Sequence, residues 1–230
     1  MGVPRLALLA VLAVSSCAYA GDVSGRIRIT KPLTKKRVSL NSVYDRTSAI
    51  PVAAVTEPTL QDELDHIVVY LENGPKPAKR VTANVNQIQR RFDPDVVAIP
   101  AGSTVNFPNS DPIFHNIFSL SKAKLFDLGN YPKGQSRTVT FNEPGIILVH
   151  CHLHSNMSAA IVVTPTEWLA RPDKEGRYEL KGLPTGKHTI IAWHKSAGIF
   201  RKQVEVKEGT TTLDIEVPIH DQMTERISKK

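Results

Sequence analysis

The chain is 230 residues long, 41% hydrophobic, 6% aromatic and 22% charged. That balance is too apolar and too weakly charged for a disordered chain, and the length needs no disulfide staples. Twenty-nine lysines and arginines stand against 22 acidic residues, a formal charge of +7. No apolar run beyond the N-terminus is long enough to cross a bilayer.

Arg5 precedes the apolar run Leu6 to Val14, followed by Ser15-Ser16-Cys17-Ala18-Tyr19-Ala20. One positive charge, a short apolar stretch and a small-x-small end predict a secretory signal cleaved after Ala20. Removing it leaves 210 residues from Gly21 and, without Arg5, a charge of +6. A rival reading takes Val14-Ser15-Ser16-Cys17 as a lipoprotein site, with Cys17 acylated and retained as a lipid anchor. Either reading predicts export to the periplasm and leaves Cys151 without a disulfide partner. Burial or metal ligation would protect such a thiol.

Beyond the signal, apolar residues fall in short runs rich in Val, Ile, Thr and Phe, separated by Pro, Gly, Asn and Asp. That spacing predicts an all-β chain. Expected strands are Val23–Thr30, His66–Leu71, Val96–Ile99, Ser103–Phe107, Asn116–Leu120 and Arg137–Phe141. Ile146–Cys151, Ala159–Val163, Arg177–Leu180, Lys187–Trp193, Arg201–Val206 and Thr211–Val217 follow. Pro100-Ala101-Gly102 and Asn142-Glu143-Pro144-Gly145 read as turns. Lys31 to Asp62 reads as a long loop with at most one short helix, and His220 to Lys230 as a frayed or briefly helical tail. A composition change near Pro165 divides the chain. The expected parts are a signal (1–20), an N-terminal β region (21–84), a first β-sandwich (85–165), a second (166–219) and the tail (220–230).

Chemistry concentrates in Val149-His150-Cys151-His152-Leu153-His154-Ser155-Asn156-Met157, with Phe114-His115-Asn116 upstream. Two imidazoles and one thiolate in a trigonal set, with a weak axial thioether, are what a blue-copper electron-transfer site requires. Alternation puts Ile147, Val149 and Cys151 on the inner face of their strand and Ile146, Leu148 and His150 on the outer. The stretch from Cys151 to Met157 can then carry three donors in one tight loop. His115 must reach them from a neighbouring strand.

From about Arg91 to Thr164 the chain resembles a cupredoxin of the plastocyanin/azurin family. Phe92-Asp93-Pro94, Ile99 through Phe107, Asn109-Ser110-Asp111, His115-Asn116 and the Cys151–Met157 loop carry the resemblance. The Cys-x-x-His-x-x-Met spacing is the short form, most similar to amicyanin. The resemblance implies a Greek-key β-sandwich in which His115, Cys151, His154 and Met157 bind one type 1 copper. It also implies that Asn116 ties the two ligand loops together through hydrogen bonds. The chain would then carry single electrons between redox proteins, with no catalytic residues of its own.

His150 and His152 leave other readings open. A His-Cys-His triplet also occurs in multicopper oxidases, whose second copper cluster needs further His-x-His pairs. None occurs among His66, His115, His188, His194 and His220, so an oxidase would have to assemble across subunits. Alternatively, a strand continuing past Cys151 would align His150, His152 and His154 as a non-redox copper or zinc stripe. A third reading makes the flanking histidines simply exposed.

The segments from Pro172 to Leu180 and Leu183 to Ile190 resemble a carboxypeptidase regulatory-like (transthyretin-like) sandwich. Its usual first half is matched early instead, by Val23-Ser24-Gly25-Arg26-Ile27 and Ile67-Val68-Val69-Tyr70-Leu71. The expectation is a copper-binding sandwich inserted into this second one, against a plain serial order. The combination resembles exported bacterial proteins described as plastocyanin-like or methylamine-utilisation-like. Lys35-Lys36-Arg37, Lys76, Lys79, Arg80, Arg90-Arg91 and Arg201-Lys202 predict a dispersed basic surface that would steer acidic redox partners. An exported chain without interleaved aromatic and basic residues argues against nucleic acid.

Overall fold

A computed structural model describes residues 20–30 and 60–218. The signal with Cys17, the lysine-rich stretch at 35–37, most of the 31–62 loop and the tail with His220 lie outside the described residues.

In chain order the elements are β1 (Ala20–Ile29), α1 (Leu60–Asp65), β2 (Ile67–Leu71), β3 (Thr82–Asn84), β4 (Asn86–Ile88), β5 (Arg91–Asp93), β6 (Val96–Pro100) and β7 (Ser103–Pro108). They continue as β8 (His115–Ser121), β9 (Lys124–Tyr131), β10 (Ser136–Phe141), β11 (Gly145–His150), β12 (Ser158–Thr164) and β13 (Leu169–Ala170). The last are β14 (Arg177–Pro184), β15 (Gly186–His194), β16 (Gly198–Val206), β17 (Gly209–Thr212) and β18 (Ile215–Val217). The chain is all-β in several sheets. Among the described residues, no helix is long and apolar enough to cross a membrane.

Strands β3 to β12 build one sandwich. A five-stranded sheet, β6-β12-β11-β8-β9, faces the three strands β10-β7-β3, with β4 and β5 as a separate hairpin. Strict alternation drives this packing. Ser103, Val105 and Phe107 of β7 point inward while Thr104, Asn106 and Pro108 are half-exposed, the period-2 pattern of a strand with one wet face. The enclosed core includes Phe92, Ile99, Phe107, Ile117, Tyr131, Phe141, Ile147, Val149 and Ile161. Cys151 and Met157 belong to the same core. The turn between β6 and β7 needs Gly102, whose φ of 85° is left-handed.

The remaining strands form a second pair of sheets. β1 runs antiparallel to β14, pairing Ser24 with Glu179 and Gly25 with Tyr178. On its other side it runs parallel to β17 and then β18. β2 runs antiparallel to β15, pairing Val69 with Ala192 and Val68 with Trp193. Val23, Ile27, Ile67, Val69, Leu71, Leu180, Ile190 and Ala192 form the core between these sheets.

A third apolar cluster joins the two sandwiches. Val68, Ile191 and Trp193 from one sheet meet Val96, Ala160 and Val162 from the other. β2, β12 and β15 are therefore covered on both faces. Their sequences show why, since each is an almost unbroken apolar run rather than an alternating one.

Several sequence expectations shift. The strand expected over 146–151 ends at His150, and that expected over 211–217 is split into β17 and β18. The hairpin strand β9 was not foreseen, because its residues alternate only between half-buried and exposed until Tyr131. Arg90 is buried at 3% exposure and is no part of a basic surface.

Candidate metal centre

His115 opens β8 and Cys151 follows the last residue of β11, and the two strands are neighbours, with Phe118 paired to His150. Chain reversal after Cys151 brings the next donors back. The Met157 amide donates to the His154 carbonyl at 3.0 Å, and the Cys151 amide to the Met157 carbonyl at 3.4 Å. His115 and Cys151 are buried, His154 is half-buried, and Met157 is buried at the end of the loop.

Three donor atoms converge. The two Nδ1 atoms of His115 and His154 lie 3.1 Å apart, and each is 3.9 Å from Sγ of Cys151. The point equidistant from these corners is about 2.1 Å from each, against metal–imidazole bonds of about 2.0–2.1 Å and zinc–thiolate bonds of about 2.3 Å. The trigonal set fits one ion without rearrangement. Its chemistry fits copper, with a soft thiolate, two imidazoles and a thioether at the loop's end.

Electrostatics prepare the thiol. Burial pushes the Cys151 thiol up, but hydrogen bonds from His115 and His154 and from the amides of Asn116 and Leu153 outweigh it and hold it down at about 5. The thiolate, the ligating form, is thereby favoured at neutral pH. For His115, burial opposes charge, yet its bonds to Cys151 and Asp111 raise its proton affinity overall.

Sequence reasoning did not find Asp111. Its carboxylate is buried and accepts Nε2–H of His115 at 2.8 Å, the amide of Gln89 at 2.7 Å and that of Arg90 at 2.8 Å. Gln89 and Arg90 adopt left-handed φ values of 52° and 53°, which turn both amides toward it. Once a metal displaces the Nδ1 proton, the proton held on Nε2 by Asp111 leaves the Nδ1 lone pair directed at the ion. The sequence marks Asp111 only as the end of the Asn109-Ser110-Asp111 stretch, four residues before His115, and any polar turn could carry an aspartate there.

Asn116 links the two ligand segments. Its amide donates to Sγ of Cys151 at 3.5 Å, and its Oδ1 accepts the His152 amide at 3.4 Å. Its Nδ2 donates to Asp127 at 2.6 Å, a partner the sequence did not reveal.

The flanking histidines stand apart. With the strand ending at His150, His154 turns in to His115 while His152 stacks on Phe118, 3.7 Å between centroids and 1° between planes. His150 is 5.8 Å from the same ring, between centroids, and tilted 42° to it. The stripe of His150, His152 and His154 therefore does not form.

A second group, Glu63, His66 and His194, also has donor atoms within 4.8 Å of one another. Its proton arrangement opposes a metal. Nδ1 of His194 accepts the amides of Ser196 at 3.2 Å and Ala197 at 3.0 Å, so the proton must sit on Nε2. Nε2 then donates to Glu63 at 2.9 Å. A ligating imidazole has the opposite polarity, donating from its far nitrogen.

No family model and no curated protein matches the chain. Among solved structures it is similar to a mutant of amicyanin with Cu(I), at 21% identity and a TM-score of 0.34, over 36% of this chain and 81% of that one. The reduced state of another amicyanin mutant matches at 24% identity and 0.34, with the same coverage. A novel purple cupredoxin from Nitrosopumilus maritimus matches at 23% identity and 0.33, over 36% of this chain and 99% of that one. Likeness this distant assigns nothing to the chain, and the donor geometry stands on its own.

Proposed function

We propose that the protein is an exported type 1 (blue) copper protein that passes single electrons between redox partners. The convergence of His115 Nδ1, His154 Nδ1 and Cys151 Sγ within 3.9 Å of one another carries this reading. Bound there, copper would supply a one-electron change between Cu(II) and Cu(I), to which thiolate and imidazole are both suited.

The chain's own residues keep that change easy. Asp111 fixes the His115 ring, and the amide of Asn116 holds the Cys151 sulfur, so both ligands stay in place when the charge changes. Burial of Cys151 and Met157 keeps water from the sulfur donors. His154 is half-buried, and the residues next in chain to the two imidazole donors, Phe114 before His115 and Leu153 before His154, are exposed apolar side chains and the proposed contact for a partner. The exposed basic residues Lys76, Lys79, Arg80 and Arg91 support an acidic docking surface on that partner. No proton transfer and no substrate pocket is required, so the reading is of a carrier and not an enzyme. Export is supported by the pattern around Arg5 to Ala20.

The ladders of β1 with β14 and of β2 with β15 support reading the copper-binding sandwich as inserted into a second one. Cyclic voltammetry of the copper-loaded protein tests the carrier role. One reversible one-electron wave at one copper per chain is expected, and a protein that binds copper with no reversible wave contradicts it.

A further inference from the structure

The loop residues on either side of Met157 are anchored to different parts of the molecule. Before it, Asn156 Nδ2 donates to the Arg90 carbonyl at 3.3 Å, within the sandwich that holds the donors. After it, the Ser158 carbonyl accepts Nζ of Lys195 at 3.4 Å, and Lys195 follows β15 of the second pair of sheets.

Lys195 is well held. Nζ donates to the Asp95 carboxylate at 2.6 Å and the Asp95 carbonyl at 3.4 Å, while its amide donates to the His66 carbonyl at 3.1 Å. The same Asp95 oxygen lies 3.2 Å from His66 Nε2. The Asp95 carbonyl also accepts the amide of Ala160 at 2.9 Å, two residues beyond Ser158 along β12. The Lys195 side chain is only 15% exposed, so its charge is screened far less than that of a surface lysine. Beside this polar clamp, Trp193 and Ile191 press on Ala160 and Val162 of the same strand.

We infer that Lys195 is a positioning residue for Met157, so that the second pair of sheets sets where the thioether sits relative to the other three donors. The inference rests on the copper reading above. An axial thioether bond is long and weak, so the scaffold, more than the bond, fixes its length. Thiolate and imidazole bonds are short and strong, and they hold their own geometry against a small backbone shift. A displacement of Ser158 is therefore read out mainly at Met157. Axial interaction tunes both potential and spectrum, so the clamp would be a tuning device reaching in from outside the sandwich that binds copper.

The test is the visible spectrum and reduction potential of copper-loaded full-length protein carrying Lys195→Met, which keeps the aliphatic stem and loses the donors. The expected result is unchanged copper stoichiometry, a changed intensity ratio of the two main absorption bands and a shifted potential. In a Met157→Leu background the same substitution leaves the band ratio unmoved. Lys195→Arg, which retains charge and donors, restores most of the wild-type ratio. Lys195→Gln gives a second route to the readout if the methionine variant does not fold. A wild-type band ratio in both Lys195→Met and Lys195→Gln overturns the inference, as does an equal change with and without Met157. A wild type with no Cu(II)–thiolate band overturns the copper reading and this inference together, whereas a coloured wild type with spectrally silent Lys195 variants overturns only the latter.

Discussion

The carboxylate of Asp111 accepts the Nε2–H of His115 at 2.8 Å, with both side chains shielded from solvent. A buried negative charge on the far side of a ligand ring makes that ring a better donor and favours the higher metal charge. Asp111→Asn removes the charge and keeps the shape. The expected outcome is Cu(II) affinity lower by roughly 10- to 100-fold, the usual cost of losing such a partner. The reduction potential rises, because Cu(I) loses less than Cu(II). Chelator competition and potentiometric titration check the two halves.

His194 makes a different prediction, one about stability. Burial, and then the nearby ring of His66, hold it down at about 4 against a smaller opposing pull from the Glu63 backbone. Its short contact with Glu63 is therefore a hydrogen bond from a neutral ring, in agreement with the two amides donating to Nδ1. The unfolded chain takes up a proton near pH 6.5 and the folded one only near pH 4. Stability from this group is complete above about pH 6.5 and is lost as the pH falls toward 4. Urea unfolding at pH 7 and pH 5 should differ by about 2 kcal/mol from this source. His194→Gln should remove that difference, and an undiminished slope would contradict the assignment.

Gly25 lies where β1 meets partners on both sides. It pairs with Tyr178 of β14, and a Cβ added to it would overlap the carbonyl oxygen of Leu213, between β17 and β18. That atom is backbone and cannot swing away. Gly25→Ala should therefore separate β1 from the C-terminal strands, at a cost of about 3 kcal/mol or more, the range of severe core lesions. Equilibrium unfolding measures it, and a loss below about 0.5 kcal/mol, the level of an ordinary surface change, would contradict the packing described.

Much of this architecture is legible in the sequence, for identifiable reasons. Alternation at Ser103–Pro108 and Gly145–His150 writes a strand with one buried face, and it correctly turns Val149 and Cys151 inward. The spacing from Cys151 to Met157 is local, so it announces a loop of donors before any fold is known. Long-range polar contacts leave no such trace. Asp111 reads as one more turn residue until the left-handed amides of Gln89 and Arg90 are seen to close on it. Lys195 reads as a surface lysine until the two sandwiches stack. The unbroken runs Ile67-Val68-Val69, Ala159 to Val163 and Ile190 to Trp193 did contain that stacking. Strands apolar on both faces need a cover on each.

The account stands or falls on sulfur and two imidazoles sharing a single ion. Visible absorption of the Cu(II)-loaded protein, wild type beside Cys151→Ser, tests this most directly. An intense thiolate-to-copper band in the wild type, abolished by the serine, is the predicted result. A colourless wild type that still binds copper after Cys151→Ser would contradict it.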